Sequence, residues 1–365
     1  VISRLQHQRT VGASGLGVKY SSDLYVPRTG PEMAFTKFMG DAGISDRNIF
    51  LVLGDAGLGK TWFLARMSMQ CVEMGSPTFF VPLGHGIKSL TSIFRVESLQ
   101  ALVDILDPVL SSAGEHAYIF LDGLDEMDPS NIRYLLGALA SCRSDYVSFV
   151  LSCRTADWAS SRAISLGAGD LKYYIYNNER ATDAARAVGV MTPVSVLMSE
   201  FSDTELRAAM RKYGLPESVP FDLLPLLSKP YILRLSAEWY QKLGFLPSPS
   251  SPEFLDLFAG GPKYADSVFR RLGILTERDS LYATVEKLIE AQCETLPLFE
   301  LPIEAESSTF ATLVSSGMLR IRIGKSGTEV SLSDEFVVPL VVLTILRYQS
   351  DRSRLDNLVK RVPAF

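Results

Sequence analysis

Short apolar runs alternate with stretches of helical periodicity as far as about residue 200. Asn48 to Leu53 (NIFLVL) has strand length and runs into a glycine loop. Thr61 to Met74 then brings Phe63, Leu64, Met67, Cys71 and Met74 onto one helical face, and Gly75 ends it. Thr78 to Leu83 predicts a second strand, Ala117 to Leu121 a third, Val147 to Leu151 a fourth and Val194 to Leu197 a fifth. Between them, Leu99 to Leu110 carries Leu99, Leu102, Val103, Leu106 and Leu110 at i/i+3/i+4 spacing, and Asn131 to Ala140 reads as the next helix. Strands that are apolar throughout, rather than at alternate positions, are covered on both faces. The pattern therefore predicts an α/β fold, a parallel sheet sandwiched by helices.

After Ser199 the strand pattern stops. Ser202-Asp-Thr-Glu205 is a capping box that launches a helix, and helical patterning continues to about Gln241. Pro247 to Pro252 (PSPSSP) cannot continue a helix and reads as a linker. Helices are expected over Tyr264 to Leu272, Leu281 to Gln292 and Ser308 to Ser315. Met318 to Ile323, a Gly324-Lys-Ser-Gly327 turn and Glu329 to Leu332 then form a hairpin. Helices followed by a small hairpin suggest a winged-helix-like unit. The expected organisation is a lead-in over 1–30, a nucleotide-binding domain over 31–200, a small helical domain over 201–246, the linker over 247–253 and the winged-helix-like domain over 254–350. Residues 351–365 form a tail or the start of a further helical region.

Composition narrows the function classes. The 365 residues carry a net charge of −5, with 47% apolar and 21% charged residues, so no global positive field draws in nucleic acid or an anionic membrane. The most apolar stretch, Phe336 to Leu346, falls short of the 18 or more residues of a membrane span, contains Pro339, and reads as a buried helix. Cys71, Cys142, Cys153 and Cys293 form no C-x-x-C pair, and His7, His85 and His116 are scattered, which argues against zinc and for free thiols in a reducing cytoplasm. The sequence begins with Val1 rather than Met and is expected to be a piece of a longer protein.

Gly54-Asp55-Ala56-Gly57-Leu58-Gly59-Lys60-Thr61 is a full G-x-x-x-x-G-K-[ST] motif. Its glycines let main-chain N–H groups wrap around phosphate oxygens, which side chains would obstruct. Lys60 supplies a point charge for the outer phosphates, the Thr61 hydroxyl is a Mg²⁺ ligand, and the following helix adds the positive end of its dipole. Trp62, next along, counts with these nucleotide contacts. The fold class thereby sharpens to a P-loop NTPase sheet, with ATP or ADP and Mg²⁺ as cofactors.

Tyr118 to Asp122 is a buried strand ending in a carboxylate, the position from which Asp122 holds Mg²⁺ through its hydration shell. Asp125 and Glu126 follow where a carboxylate orients or deprotonates the attacking water. Asp128, before Pro129, is a helix cap. Arg154, after the fourth strand, is placed to meet the γ-phosphate and report its presence, while Cys153 beside it is inert.

These features together resemble the NACHT branch of the STAND signal-transduction ATPases, in its prokaryotic form. The resemblance rests on Asp122-Gly-Leu-Asp-Glu126, on Leu151-Ser-Cys-Arg154, on Pro230 within Leu227 to Leu233, and on Lys19 to Arg28, and it spans about residues 18 to 345. It implies a core that closes over ADP, exchanges it for ATP and forms homo-oligomers, with an activating ligand and an effector as partners; many prokaryotic relatives act in antiviral defence. It matches Lys60, Thr61, Asp122, Asp125 and Glu126 to nucleotide and Mg²⁺ residues, Arg154 to a sensor, Pro230 to a proline packing near adenine, and Val26 to Arg28 to the base or ribose. Many relatives place a histidine in the winged-helix domain; the comparable stretch Val330 to Phe336 has Ser333 instead, with Asp334 beside it.

Two further readings compete. An AAA+-like remodelling or DNA-loading ATPase would use Arg320, Arg322 and Lys325 on the wing against phosphate. A GTPase fits less well, because no N-K-x-D base-reading motif is present and the segment after Asp122 lacks the D-x-x-G glycine. No acceptor pocket marks a small-molecule kinase.

Overall fold

A computed structural model describes residues 20–43, 46–55, 57–83, 96–127, 129–160, 164, 169, 171–216, 218–219, 223–246, 274, 276–305, 307–315, 318–324, 327–332, 340–341, 344–345, 347–348 and 350–361. Ala56, His7, His85, Asp128, Lys325, Ser333, Asp334, the linker and the expected helix at 264–272 lie outside them, as does much of 336–346.

Five parallel strands form the main sheet: β1 (Ile49–Leu53), β2 (Thr78–Pro82), β3 (Ala117–Asp122), β4 (Val147–Cys153) and β5 (Val196–Leu197), in the order β2-β3-β4-β1-β5. Helices α1 (Thr29–Asp41), α2 (Lys60–Glu73), α3 (Leu99–Ala113) and α4 (Pro129–Ser141) accompany them. Alternate residues of each strand enter different cores. Ile49, Leu51, Val81, Ile119, Leu121, Phe149 and Leu151 pack with Leu102 and Val103 of α3 and Leu135 and Leu136 of α4. Phe50, Val52, Phe80, Phe120 and Val150 pack with Phe35 and Phe38 of α1 and Phe63, Leu64 and Met67 of α2. Burial on both faces is why the strands are apolar at every position, and each large side chain so buried contributes about 1.5–3 kcal/mol.

Beyond β4 come short α5 (Thr155–Ser160) and α6 (Glu179–Arg186), then α7 (Asp203–Lys212). The capping box forms as expected: Ser202 Oγ accepts from the Glu205 N–H, and a Glu205 carboxylate oxygen accepts from the Ser202 N–H at 2.8 Å. Helices α8 (Leu224–Leu227) and α9 (Pro230–Leu243) continue the helical region.

The chain divides into two compact units, Val1–Glu217 with Pro225–Arg234, and Ser218–Leu224 with Leu235–Phe365. In the second, α10 (Arg278–Ala291), β6 (Thr295–Pro297), α11 (Ser308–Ser315), β7 (Leu319–Gly324) and β8 (Gly327–Leu332) succeed one another, and α12 (Arg352–Arg361) closes the described chain. The strands pair antiparallel in the order β6-β8-β7. Leu281, Val285, Ile289, Leu313, Met318, Leu319, Val330 and Leu332 make a core of their own. This is the helix, hairpin and helix pattern of a winged-helix-like fold. The sequence reading misses α1, whose apolar positions do not form a clean stripe and which starts at Thr29, inside the expected lead-in. It also misses β6, only three residues long and ending in Pro297. No helix among the described residues is long and apolar enough to cross a membrane.

Candidate functional site

Because the strands are parallel, the loops after β1, β3 and β4 leave the same edge of the sheet. Register fixes their juxtaposition: Leu53 pairs with Cys153 across β1 and β4, and Leu121 with Leu151 across β3 and β4. The loop after β4 thus sits between the glycine loop and the end of β3.

The chain turns from β1 into α2 through residues 54–59, the strand–loop–helix setting that the motif requires. Lys60 Nζ donates to the Gly54 carbonyl at 2.6 Å and to that of Asp55 at 3.1 Å, so the ammonium is drawn back over its own loop. Gly57 has φ +76°, and a Cβ there would lie 3.0 Å from Tyr231 Cβ. Only glycine meets both demands. The Gly57 carbonyl accepts from the Tyr231 N–H at 3.1 Å, which seats the first turn of α9 on the loop. Leu58 is buried in the core beneath α2, and Gly59 precedes the helix with φ +89°.

Asp122 ends β3 with 9% of its surface exposed. Its Oδ1 accepts from Ser152 Oγ at 2.6 Å, and Ser152 Oγ in turn accepts from the Gly123 N–H at 2.8 Å. Thr61 and Lys60 both stand close enough to Asp122 to favour its charged form. Burial raises the Asp122 carboxyl above its ordinary range, against the opposing pull of Ser152, Thr61 and Lys60. A buried carboxylate beside a hydroxyl, with lysine near, is an oxygen donor set suited to a hard divalent cation. Thr61 and Asp122 are the residues that would hold Mg²⁺, and the ion would supply neutralising charge to phosphate oxygens.

Glycine at 123 (φ +81°) turns the chain into a short 3₁₀ segment, Leu124–Glu126, and the Glu126 side chain folds to within 3.3 Å of the place a Cβ on Gly123 would take. Burial pushes Glu126 up to about 7, aided by the charges of Asp122 and Asp125 and resisted by Arg154 and Lys60. Asp125 does something different. Its Oδ2 lies 2.9 Å from Arg154 Nε, and its Oδ1 accepts from the Arg154 backbone N–H at 3.0 Å. Cys153 is buried, and burial holds its thiol protonated far above the usual range.

Arg28 is 4% exposed, and its guanidinium is bound by protein. Nε donates to Glu205 at 3.2 Å, Nη1 to the Leu58 carbonyl at 3.4 Å, and Nη2 to the carbonyls of Ser199 at 2.6 Å and Glu200 at 3.2 Å. The Phe201 ring lies 4.9 Å from it. It clasps the lead-in, the glycine loop and the start of α7 together. Pro230 opens α9, one residue before the Tyr231 that meets Gly57. Trp62 packs edge-on against Tyr20, with the Arg234 guanidinium 5.9 Å from its ring.

Sequence reasoning thus names the charged groups gathered here and misses the neutral ones that hold them: Ser152, Tyr231 and the carbonyls around Arg28. Only Ser152 leaves a trace, as a hydroxyl near the carboxyl end of a buried, mostly apolar strand.

No family model matches the sequence, and no curated protein matches it. Solved structures do match in fold. Orc1 of Aeropyrum pernix, determined in complex with DNA, is 15% identical with a TM-score of 0.50, covering 93% of this chain and 97% of that one. Cdc6p of Pyrobaculum aerophilum is 16% identical over 93% of this chain and 97% of that one, at a TM-score of 0.33. The replication initiator DnaA, bound to AMPPCP and single-stranded DNA, is 11% identical over 94% and 96%, at 0.40. At these identities the likeness concerns fold alone, and it is carried by Orc1: a P-loop-type parallel sheet with flanking helices and a winged-helix-like unit.

Proposed function

We propose that this chain is a Mg²⁺-dependent ATPase whose bound nucleotide sets its conformation and its assembly into homo-oligomers. The observation that carries the reading is the buried Asp122 carboxylate, held by Ser152 and close to Thr61 and Lys60, at the edge where a strand passes through the glycine loop into a helix. In this reading the 54–61 main chain and Lys60 grip the phosphates, Arg154 meets the γ-phosphate, and Glu126 accepts a proton from the attacking water. A Glu126 carboxyl raised to about 7 is matched to that task. Charge-assisted hydrogen bonds contribute about 1.5–3 kcal/mol each. Ligand at a thousand-fold excess over Kd adds about 4 kcal/mol to the competent state, close to the roughly 5.5 kcal/mol that inverts a 1:99 population. Lys60→Ala removes nucleotide affinity and ATP-dependent assembly, read by titration calorimetry and by size in solution with ADP and with ATP. Unchanged affinity sinks the site.

Two finer readings share this core. The NACHT-like signalling switch in prokaryotic antiviral defence draws on sequence features alone: Asp122–Glu126, Leu151–Arg154, Pro230 and Lys19 to Arg28. The remodelling or DNA-loading ATPase draws on the fold shared with Orc1, a protein solved on DNA, and on a winged-helix-like unit whose β7 carries Arg320 and Arg322. We adopt the second, acting in the cytoplasm. It requires salt-dependent duplex binding that falls on joint Arg320→Ala and Arg322→Ala substitution, measured by fluorescence anisotropy. Nucleotide-dependent assembly without any duplex affinity would return the signalling reading.

A further inference from the structure

The sequence offers Asp125 and Glu126 as an equivalent acidic pair, yet the fold separates them. Asp125 faces across to the neighbouring strand: register places Leu121 beside Leu151, so that three residues beyond Asp122 the 3₁₀ turn arrives over the first residue after β4. There its two oxygens take two groups of one residue, the Arg154 backbone N–H at 3.0 Å and Nε at 2.9 Å. The side chains are 7% and 20% exposed, and a two-point contact of this kind fixes direction as well as distance. Glu126, by contrast, folds back over Gly123.

We infer that Asp125 is a positioning residue, which sets Arg154 for reading the γ-phosphate, and that it takes no proton itself. The inference rests on the proposed ATPase reading. A carboxylate with one oxygen engaged by a main-chain N–H and the other by a guanidinium is poorly placed to bind water. The same contact holds the strand end and the arginine stem in one register, so that the guanidinium meets a triphosphate in a fixed place. Asp125 thereby becomes a determinant of how well the site tells ATP from ADP.

The test is a double-mutant cycle on the whole chain, using Asp125→Asn, Arg154→Ala and the pair, with single-turnover hydrolysis and the Kd values of ATP and ADP as readouts. Asparagine is isosteric and keeps one acceptor, and melting curves check that each variant folds; Arg154→Lys, which keeps the charge and loses Nε, serves as the second probe. Each single change is expected to lower turnover by about 10-fold or more. It should also narrow the ATP-to-ADP affinity ratio while leaving ADP affinity unchanged. The pair should be no worse than Arg154→Ala alone, because Asp125 acts through the arginine. Two results overturn the inference: an Asp125→Asn loss that multiplies undiminished in the Arg154→Ala background, or an unaltered ATP-to-ADP ratio. A merely structural role would weaken ADP as much as ATP. Failure of the unsubstituted protein to bind ATP with Mg²⁺ would remove the ATPase reading itself, a different outcome from failure of the cycle.

Discussion

The two ends of the five-stranded sheet are built from the same strands and handle polar groups in opposite ways. At the amino end the buried groups are neutral or held neutral, and they satisfy one another. Asn48 Nδ2 reaches the carbonyls of Cys142 and Val147, each at 3.5 Å, Thr78 Oγ1 donates to the Ser76 carbonyl at 2.9 Å, and His116 Nε2 lies 2.8 Å from Ser148 Oγ. At the carboxyl end, Asp122, Asp125, Arg154 and Lys60 all act electrostatically on Glu126, and three of these five groups are carboxylates. Clustered buried carboxylates cost stability except where cations and hydrogen bonds offset their charge, so their presence at one edge needs a reason beyond the fold. In open parallel sheets the loops leaving the carboxyl ends are where ligands bind. The contrast assigns cohesion to one edge and chemistry to the other.

The largest effect that would sharpen this division is on turnover. Glu126→Gln keeps the shape of the side chain and removes its capacity to accept a proton. Hydrolysis should fall by about 10²–10⁴-fold while ATP affinity stays within a few-fold. Single-turnover assays beside calorimetric titration separate the two, and near-normal hydrolysis would leave the carboxyl edge without a base.

How much of this edge the sequence reveals depends on whether a residue's chemistry or its neighbour decides its place. Gly54 to Thr61 and Asp122 are legible because spacing and strand position alone bring them together, and the structure sets Thr61 and Lys60 against Asp122 as that spacing demands. Asp125 and Glu126 read alike in sequence; only the register of β3 on β4 turns one toward Arg154 and the other over Gly123. Arg28 reads as a ligand for base or ribose, and its guanidinium is spent on Glu205, Leu58, Ser199 and Glu200, partners up to 177 positions away. Helix α1 escapes because tertiary packing of Phe35 and Phe38, rather than an amphipathic stripe, holds it. Long-range contact is the common element in what periodicity cannot supply.

An intermediate effect comes from Asp122, where the proposed function and stability should part. With Asp122→Asn the buried charge is removed while an oxygen remains to accept from Ser152. The nucleotide-free protein should gain about 0.5–2 kcal/mol. The stabilisation by Mg²⁺ and ATP, about 4 kcal/mol at a thousand-fold excess over Kd, should be lost. Melting curves with and without Mg²⁺-ATP measure both. A variant less stable when ligand-free, yet still responsive, would mean that the carboxylate serves the fold rather than the site.

The smallest effect belongs to the amino edge, and its sign follows from His116. Burial lowers the imidazole below its ordinary 6.5, with the Asp145 backbone hydrogen bond and the charge of Asp107 pulling the other way. The folded state therefore prefers neutral imidazole, and as pH falls through about 6.5 the unfolded chain takes up the proton first. The stability His116 contributes is complete above 6.5 and is lost as pH drops toward its lower folded value. His116→Asn keeps a polar partner for Ser148 and does not titrate. The stability difference between the two proteins, measured by urea unfolding at pH 7.5, 6.5 and 5.5, should shift against the histidine form on acidification by a fraction of a kcal/mol. The ratio of hydrolysis rate to folded fraction should be unchanged by the substitution at each pH. A change in that ratio would mean that the amino edge, too, communicates with the nucleotide, and the separation of the two ends would fail.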